Sequence, residues 1–449
     1  MAADEYGEPA FIYEPGHILT RRADVRRVRE ALEDIDRTDD VRGRRRPRPG
    51  EEAPSEGGAA ERADVVRLRV NGDVLRILRL LADILGIGVV TPNHLFSITP
   101  VAACPSGEPL VVDGDDCGDR CGDRCGDPAP LPRWNRDRTA GKGVGVLIVD
   151  TGLLDHYARE HPWLRGGPDP SRAIDDPQPG IQRYEGHGTF IAGVLRCVAP
   201  SVTFGVSNAM RPVGTLYEHQ LGPALLGALQ DWANAHGGRW PAIINLSSGT
   251  PTQYSLPPIG LEQFRKELEK NSDTILVAAA GNNGSTKLFW PAAYAADYPQ
   301  VISVGALRRY SIGRHERACF SNYGDWVTVF APGEWLVNAF AWGDYEYAEP
   351  HHDQCIYLRP PVPSYAGCTC VDAPALRTRV TFDGMARWSG TSFAAPVVAG
   401  LIAGLMSRSG MTARQAADEL LVKARAPGWR SATGDPVLLP PGWPAAGSP

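Results

Sequence analysis

A serine stands just before a long apolar run near the end of the chain. The sequence Ser389-Gly-Thr-Ser-Phe-Ala-Ala-Pro396 leads into residues 397–406, which are almost entirely apolar. A helix that is apolar on every side must be buried, so this run predicts a helix at the centre of the fold. Its first N–H groups lack intrahelical partners and lie at the positive end of the helix dipole. Ser392 therefore stands where a nucleophile needs hydrogen-bond donors, although a serine here can also be an ordinary helix cap.

Apolar strands alternate with helical segments from residue 134 onward. Three runs have the composition of strands buried on both faces of a parallel sheet: 143–149, 242–246 and 274–280. Further strands are expected at 301–304 and 326–330, and helices at 223–235 and 261–268. This alternation predicts an α/β fold with a mainly parallel central sheet, which occupies residues 134–449.

The first hundred residues predict a small α+β domain of their own. Its expected elements are a strand at 10–13, a helix around 25–35, a strand at 65–70, a helix from Val74 to Gly86 capped by Asp73, and strands at 88–90 and 95–98. Residues 39–63 interrupt this domain. They are rich in Pro, Gly, Arg and Glu, which is typical of a disordered linker. Their arginine run is compatible with phosphate binding, but the acids that follow it favour a solvated linker.

A second low-complexity segment, residues 101–133, is predicted to connect the two parts. It contains Cys117, Cys121 and Cys125 in a four-residue repeat with Gly, Asp and Arg. This spacing does not match a zinc ribbon, and no histidine follows nearby. The repeat favours a flexible connector, with a metal site and a redox-sensitive clip as the alternatives.

Charge and apolar patterning exclude several functional classes. The 449 residues carry a net charge of −6, which gives no overall attraction to nucleic acid or anionic membranes. The first 40 residues lack the apolar core of a signal peptide, and no window approaches the roughly 18 apolar residues of a membrane span. The nine cysteines show no disulfide framework. We therefore expect a cytoplasmic protein that binds neither nucleic acid nor membrane, with non-classical export left open.

An acid, a base and a hydroxyl follow one another in the α/β part. Asp150 ends the strand at 143–149, His187 opens a helix within Gly-His-Gly-Thr, and Ser392 opens the apolar helix. Sites in open α/β sheets gather at the carboxyl ends of the strands. These three side chains are the parts of a nucleophilic triad.

Five local sequences resemble motifs of the subtilisin-like serine proteases. They occur in the family's order: VLIVDTGL at 146–153, GHGTFIAGVL at 186–195, NLSSG at 245–249, VAAAGNNG at 277–284 and SGTSFAAPVVAG at 389–400. The likeness covers approximately residues 140–424. It implies a subtilisin-like three-layer fold and a serine endopeptidase that hydrolyses polypeptides through an acyl-enzyme intermediate.

The resemblance also implies a role for each residue in these motifs. Ser392 would attack the scissile carbonyl, His187 would take and return the proton, and Asp150 would orient the imidazole. Asn282 and the Ser392 N–H would bind the oxyanion. Substrate-binding roles are implied for Ser247, Ser248 and Gly249, as an edge strand that pairs with an extended peptide, and for Ala279, Ala280 and Gly281, as pocket walls.

Some positions depart from the family pattern. Phe190 and Val397 stand where the family often has further histidines, but neither belongs to the triad. The stretch 335–388 is longer than simple family members need and is rich in Tyr, Pro and Cys. It shapes the substrate cleft, docks a partner or is a tolerated surface insertion, and the sequence slightly favours the last.

The role of residues 1–100 stays open between two interpretations. They stand where subtilases often carry a propeptide, but they could equally form a permanent domain that recognises a protein partner. A latent protease and a non-catalytic scaffold are the alternatives for the whole chain, and the intact triad with Asn282 argues against the scaffold. No cofactor is expected. Calcium is common in the family, but the sequence offers no ligand set for it or for another metal.

Overall fold

A computed structural model describes most of the chain: residues 2–3, 9–41, 64–98, 108–112, 135–168, 180–210, 213–308, 315–347, 379–426, 430–441 and 443. Most of the predicted linker, the Cys117–Cys121–Cys125 repeat and residues 348–378 therefore lie outside the described residues. The contacts divide the chain into two compact units. Unit 1 comprises residues 1–96, 216–227 and 250–267, and unit 2 comprises residues 97–215, 228–249 and 268–449.

The described residues form fourteen strands and eight α-helices. The strands are β1 Ala2–Ala3, β2 Pro9–Phe11, β3 Tyr13–Arg21, β4 Val65–Arg69, β5 Val90–Ser97, β6 Gly145–Val149, β7 Thr203–Ser207, β8 Thr215–Tyr217, β9 Ile243–Leu246, β10 Ile275–Ala279, β11 Val301–Leu307, β12 Val329–Pro332, β13 Leu336–Glu346 and β14 Arg379–Trp388. The helices are α1 Val25–Val41, α2 Val74–Leu85, α3 Tyr157–Glu160, α4 His187–Val198, α5 Glu218–Ala235, α6 Glu262–Lys270, α7 Thr391–Ser409 and α8 Ala413–Ala424.

Unit 1 contains a four-stranded sheet in the order β4-β3-β5-β8, with α1 and α2 contributing to its apolar core. Strand β3 pairs antiparallel with both β4 and β5. Asp73 caps α2 as predicted, because its carboxylate accepts hydrogen bonds from the N–H groups of Leu75 and Arg76. The sequence predicted only a short strand at 10–13. The structure instead has β2 at Pro9–Phe11 and the longer β3 at Tyr13–Arg21, and the pairing of β3 with β5 shifts register between Tyr13 and Ile18.

A buried histidine and a buried glutamate form a pair inside unit 1. His94 Nδ1 contacts Glu218 Oε2 at 2.5 Å. The Gln253 N–H donates to His94 Nε2 at 3.0 Å, and the Gly260 N–H donates to Glu218 Oε1 at 2.9 Å. Because Nε2 accepts a hydrogen bond, the imidazole proton lies on Nδ1, where it faces the carboxylate. Each buried polar atom thus has a partner, which removes the cost of leaving it unpaired.

Unit 2 contains the predicted parallel sheet. Its six strands lie in the order β12-β11-β10-β9-β6-β7, and every neighbouring pair is parallel. Helix α7 packs on α4 and against strands β9 to β12. These observations confirm the α/β class and its mainly parallel central sheet. Parallel strands bring their carboxyl ends to one edge, so the residues that follow β6, β9 and β10 meet there.

Helix α7 is the central buried helix that the apolar run predicted. Its residues from Thr391 to Ala399 are all buried, and Gly410 ends it in the left-handed conformation. By length and apolar composition it meets the requirements of a membrane span, contrary to our expectation that no such window exists. However, 72% of its apolar window is buried inside the protein, as in the core helix of a globular fold.

Two strands precede α7 and form an antiparallel hairpin that the sequence did not predict. Strands β13 and β14 pair along most of their length, with Leu336 opposite Trp388. Leu110 adds to the outer side of β14, because it exchanges two backbone hydrogen bonds of 2.8 Å with Arg387. Tyr345 also donates its hydroxyl to Glu108 at 3.0 Å. The short segment 108–112 is therefore fixed to the hairpin.

A buried histidine in unit 2 makes stability depend on pH. His161 is 3% exposed, and its Nε2–H donates to the Phe340 carbonyl at 3.2 Å. Burial lowers the pKa of His161 below its ordinary value. The folded protein therefore holds this ring neutral at pH values where the unfolded chain already binds a proton. Since an unfolded histidine titrates near pH 6.5, the free energy of unfolding is expected to fall as the pH drops below that value.

Replacing His161 by glutamine is expected to weaken this pH dependence. Glutamine keeps an N–H donor but has no proton to take up. Urea denaturation at pH 7.5 and 5.5 should show a smaller loss of unfolding free energy for His161→Gln than for the wild type. The exposed His156 provides a matched control, since His156→Gln should retain the wild-type difference. An unchanged difference in His161→Gln would contradict this account.

Candidate active site

The predicted acid and base form a buried pair at the carboxyl edge of the sheet. Asp150 follows β6 directly, and His187 is the first residue of α4. His187 Nδ1 lies 2.8 Å from Asp150 Oδ1 and 2.9 Å from Oδ2. The Thr151 N–H donates to the same Oδ1 at 2.8 Å, which fixes the carboxylate. The acid therefore faces Nδ1 and leaves Nε2 as the ring nitrogen that can accept a proton.

The predicted nucleophile lies in the first turn of α7. Ser392 is 2% exposed, and its hydroxyl donates to the Ser247 carbonyl at 3.3 Å. Within the described residues no hydrogen bond joins this hydroxyl to His187. Catalytic hydrogen bonds are often long or unformed in the absence of substrate. Rotation of the hydroxyl away from Ser247 would be needed for it to donate to His187.

Aromatic side chains surround the imidazole. The ring centroid of His187 lies 5.2 Å from those of Trp388 and Phe393. Phe190, which stands where the family often has a second histidine, packs on Phe393 at 4.5 Å and on Trp388 at 5.8 Å. The site therefore lies against an apolar wall. Such a wall excludes water and strengthens the interaction between Asp150 and the imidazole.

The side chain of Asn282 is held in one orientation. Its Oδ1 accepts hydrogen bonds of 2.9 Å from both the N–H and the hydroxyl of Thr391. The carboxamide N–H₂ is therefore the end of the side chain that is left to bind a ligand. The Thr391 hydroxyl also accepts the N–H of Gly281 at 3.0 Å. The sequence did not identify Thr391, since it reads as an ordinary first-turn residue.

Gly390 precedes this turn and has no side chain near Asn282. Its backbone is extended (φ 161°), a conformation that residues other than glycine also adopt. A Cβ atom at this position would lie 3.4 Å from Asn282 Nδ2. This is an ordinary van der Waals distance, so neither the backbone conformation nor the space beside the carboxamide requires a glycine here.

The predicted substrate-binding segment, residues 247–249, follows β9 directly. Strand β9 itself lies inside the sheet between β10 and β6, but the prediction of an edge strand concerned the residues after it. The segment leaves the sheet at its carboxyl edge. Ser247 donates its hydroxyl to the Ser392 carbonyl at 2.9 Å, and Ser248 and Gly249 are buried.

The backbone of Gly249 is paired with another segment of the same chain. Ser97 and Gly249 exchange two backbone hydrogen bonds, of 3.1 and 3.0 Å, as an antiparallel pair. The next residue, Ile98, donates its N–H to the Gly214 carbonyl at 3.0 Å and is 2% exposed. The sequence did not reveal this pairing, since nothing in the residues 97–98 marks them as partners of residues far along the chain.

The other predicted pocket residues lie at the end of β10. Ala279 and Ala280 are buried, and the Ala280 carbonyl accepts an N–H of the Asn322 side chain at 2.8 Å. Gly281 has a positive φ of 96°, a conformation that favours glycine. This turn directs Asn282 toward the start of α7. The structure thus brings all of the predicted site residues to one edge of the sheet.

Metal ligands do not cluster in the described part of the chain. No group of three His, Cys, Asp or Glu side chains is close enough there to hold an ion. The Cys117–Cys121–Cys125 repeat falls outside the described residues.

Known proteins share both the sequence motifs and the fold. A profile of the Subtilase family matches residues 141–436. Subtilisin BL of Lederbergia lenta is 32% identical over 207 residues, which are 44% of this chain and 66% of the relative. The thermophilic serine proteinase of Bacillus sp. (strain AK1) is 31% identical over 231 residues, which are 48% of this chain and 52% of the relative. The chain thus spans from about half to just under two thirds of these relatives.

A solved structure supports the fold assignment. Fervidolysin from Fervidobacterium pennivorans, described as a keratinolytic enzyme related to subtilisin, superposes with a TM-score of 0.52 at 20% identity. The superposition covers 95% of this chain and 60% of that one. At this identity the likeness concerns the fold. The family profile covers more than half of the chain and includes Asp150, His187 and Ser392, so the chain belongs to the subtilase family.

Proposed function

We propose that this protein is a serine endopeptidase that hydrolyses polypeptides through an acyl-enzyme intermediate. The observation that carries the proposal is the buried Asp150–His187 pair at the same sheet edge as Ser392, with Asn282 oriented by Thr391. An acid, a base, a hydroxyl and a fixed N–H donor are the parts that acyl transfer requires. Membership of the subtilase family supports the same function.

Each group has one task in the proposed reaction. Ser392 Oγ forms a bond to the scissile carbonyl carbon, while its proton moves to His187 Nε2. The oxygen of the tetrahedral intermediate gains negative charge, which the Asn282 side chain and the Ser392 N–H stabilise. The amine leaves with the proton from His187, and a water molecule then repeats the sequence on the acyl-enzyme. Asp150 stabilises the imidazolium throughout.

A fluorophosphonate probe tests this function directly, because it adds only to an activated serine. Intact-mass analysis should show one adduct, and peptide mapping should place it on the peptide that contains Ser392. A quenched peptide substrate should be cleaved by the same sample. If neither an adduct nor cleavage appears, including in the Ser97→Pro variant described below, the protein is a scaffold with a protease fold.

We further propose that the full chain is held latent by its own segment at Ser97 and Ile98. The support is the antiparallel pairing of Ser97 with Gly249, which uses the backbone groups that an extended substrate would need. A segment bound there competes with external peptides. This favours the interpretation of the preceding residues as propeptide-like over a permanent recognition domain.

Removing one backbone hydrogen bond between this segment and Gly249 should raise activity toward an external peptide. Ser97→Pro removes the N–H that donates to the Gly249 carbonyl, and one such bond contributes about 1 kcal/mol. We expect kcat/KM to rise about fivefold. Ser97→Ala is the matched control, because it keeps both backbone bonds and should leave kcat/KM near the wild-type value. Equal activity of the two variants would exclude latency through this pairing.

A further inference from the structure

Two segments leave the central sheet side by side at the candidate site. Strands β9 and β10 are neighbours, with Leu246 opposite Ala278, and they continue into residues 247–249 and 279–282. Each continuation carries a glycine, Gly249 in the first and Gly281 in the second. The Ser247 carbonyl contacts the Ser392 hydroxyl, and Asn282 follows Gly281. The space between the two glycines therefore opens beside the reacting groups.

The ring of Phe289 fills this space. A Cβ atom built on Gly249 would lie 2.3 Å from Phe289 Cε1, and one built on Gly281 would lie 2.9 Å from Phe289 Cγ. Both distances are shorter than real Cβ contacts, so the ring is in direct contact with both glycines. Phe289 is 2% exposed. One aromatic side chain thus bridges the two segments.

The neighbours of Phe289 hold the ring in place. Its carbonyl accepts the Ala293 N–H at 2.9 Å. The adjacent Trp290 is 3% exposed and packs its ring on Tyr294 at a centroid distance of 4.7 Å. Packed interiors resist the movement of a buried ring. We therefore expect the Phe289 ring to remain in this space when a peptide binds, rather than to change its rotamer.

The direction of a bound peptide follows from the pairing at Gly249. In an antiparallel pair, hydrogen-bonded positions recur every second residue. Consider a peptide in which one residue pairs with Gly249 as Ser97 does. The residue two positions further toward the C-terminus of that peptide would then lie opposite Ser247. The Ser247 carbonyl contacts Ser392, so this residue presents its carbonyl to the nucleophile. We call it the acyl residue. A side chain of this residue that faces the continuations of β9 and β10 would enter the space between them.

We infer that Phe289 closes the acyl-residue pocket and restricts this protease to peptides with a small acyl residue, such as alanine or serine. The inference rests on the proposed peptidase function and names its substrate class. A large acyl side chain, such as phenylalanine, would need the volume that the Phe289 ring already occupies. Overpacking a filled interior is destabilising, so such substrates bind in a strained geometry and react slowly.

Two quenched peptides that differ only at the acyl residue test the inference. The ratio of kcat/KM for alanine to that for phenylalanine is expected to be about 10²-fold or more in the wild type. Inhibition by the chain's own segment affects both peptides equally and cancels in this ratio. In Phe289→Ala the ratio should fall by about 10²-fold. Phe289→Leu, which retains more of the packing, should give an intermediate ratio.

A second buried phenylalanine provides the matched control. Phe330 on β12 is 1% exposed and lies against Gly305 in the sheet. Phe330→Ala removes the same ring from the same kind of environment, so it should lower stability while leaving the ratio near the wild-type value. A wild type that prefers phenylalanine, or a Phe289→Ala variant with an unchanged ratio, would overturn the inference.

Binding measurements keep the test independent of catalysis. Ser392→Ala is titrated calorimetrically with the tetrapeptides Ala-Ala-Ala-Ala and Ala-Ala-Ala-Phe, whose terminal residue mimics the product of cleavage. The first should bind more tightly, and adding Phe289→Ala should remove the difference. If the Ser392→Ala protein with Phe289 intact bound both tetrapeptides equally tightly, the inference would be overturned. Fluorophosphonate labelling of the wild type reports the proposed function separately, so the two failures are distinguishable.

Discussion

Replacing Ser392 by alanine is expected to lower kcat by about 10⁶-fold, a magnitude taken from the corresponding serine of a subtilisin. The variant loses the oxygen atom that forms the acyl bond in the proposed reaction. Residual hydrolysis would come from water attacking a peptide held near Asn282 and the backbone donors of α7. Progress curves with a quenched peptide at high enzyme concentration measure the loss.

The control for this prediction lies on the same helix. Ser409 donates its hydroxyl to the Leu405 carbonyl at 2.8 Å, far along α7 from the site. Ser409→Ala should retain wild-type kcat and fluorophosphonate labelling, whereas Ser392→Ala should show neither. Hydrolysis that survives in Ser392→Ala at the wild-type rate would mean that another group is the nucleophile.

Replacing Asp150 by asparagine is expected to lower kcat by about 10⁴-fold, the loss known for the equivalent change in a serine protease triad. The Thr151 N–H donates to Oδ1 at 2.8 Å, so the carboxamide oxygen should occupy that position. Its N–H₂ group would then lie where Oδ2 stands, 2.9 Å from His187 Nδ1. An N–H facing Nδ1 favours the tautomer with the proton on Nε2, and that tautomer cannot accept the proton of Ser392.

The matched control is an exposed aspartate close by in sequence. Asp155→Asn changes the same functional group on the surface and should leave kcat unchanged. Thermal denaturation of Asp150→Asn should show a folded protein, which separates a wrong tautomer from unfolding. A loss of activity below tenfold in a folded Asp150→Asn protein would show that the carboxylate does not set the tautomer.

Short local motifs were enough to predict the sheet edge and its side chains. Asp150 and His187 could be found because a strand end and a helix start each have a sequence pattern, and the structure places the two side chains in contact. Asn282 and Ser392 could also be found from local patterns: Asn282 lies in a Gly-Asn turn, and Ser392 precedes an apolar helix. In each case the informative residues are adjacent in the chain.

Features made by residues distant in sequence were not predicted. Phe289 stands in an apolar stretch and becomes informative only when both Gly249 and Gly281 are known to touch it. Thr391 orients Asn282 across 109 residues. The pairing of Ser97 with Gly249 uses backbone groups alone, and backbone hydrogen bonds carry no side-chain signature.

The pairing of Ser97 with Gly249 determines how occupancy of the peptide-binding segment 247–249 responds to dilution of the protein. A peptide that binds from solution leaves its site as the protein is diluted, but a segment of the same polypeptide does not. Its effective concentration is set by the chain and is on the order of millimolar for short connections. A micromolar substrate must therefore compete against this local excess at every protein concentration. Only severing the chain would convert the bound segment into an ordinary ligand that diffuses away.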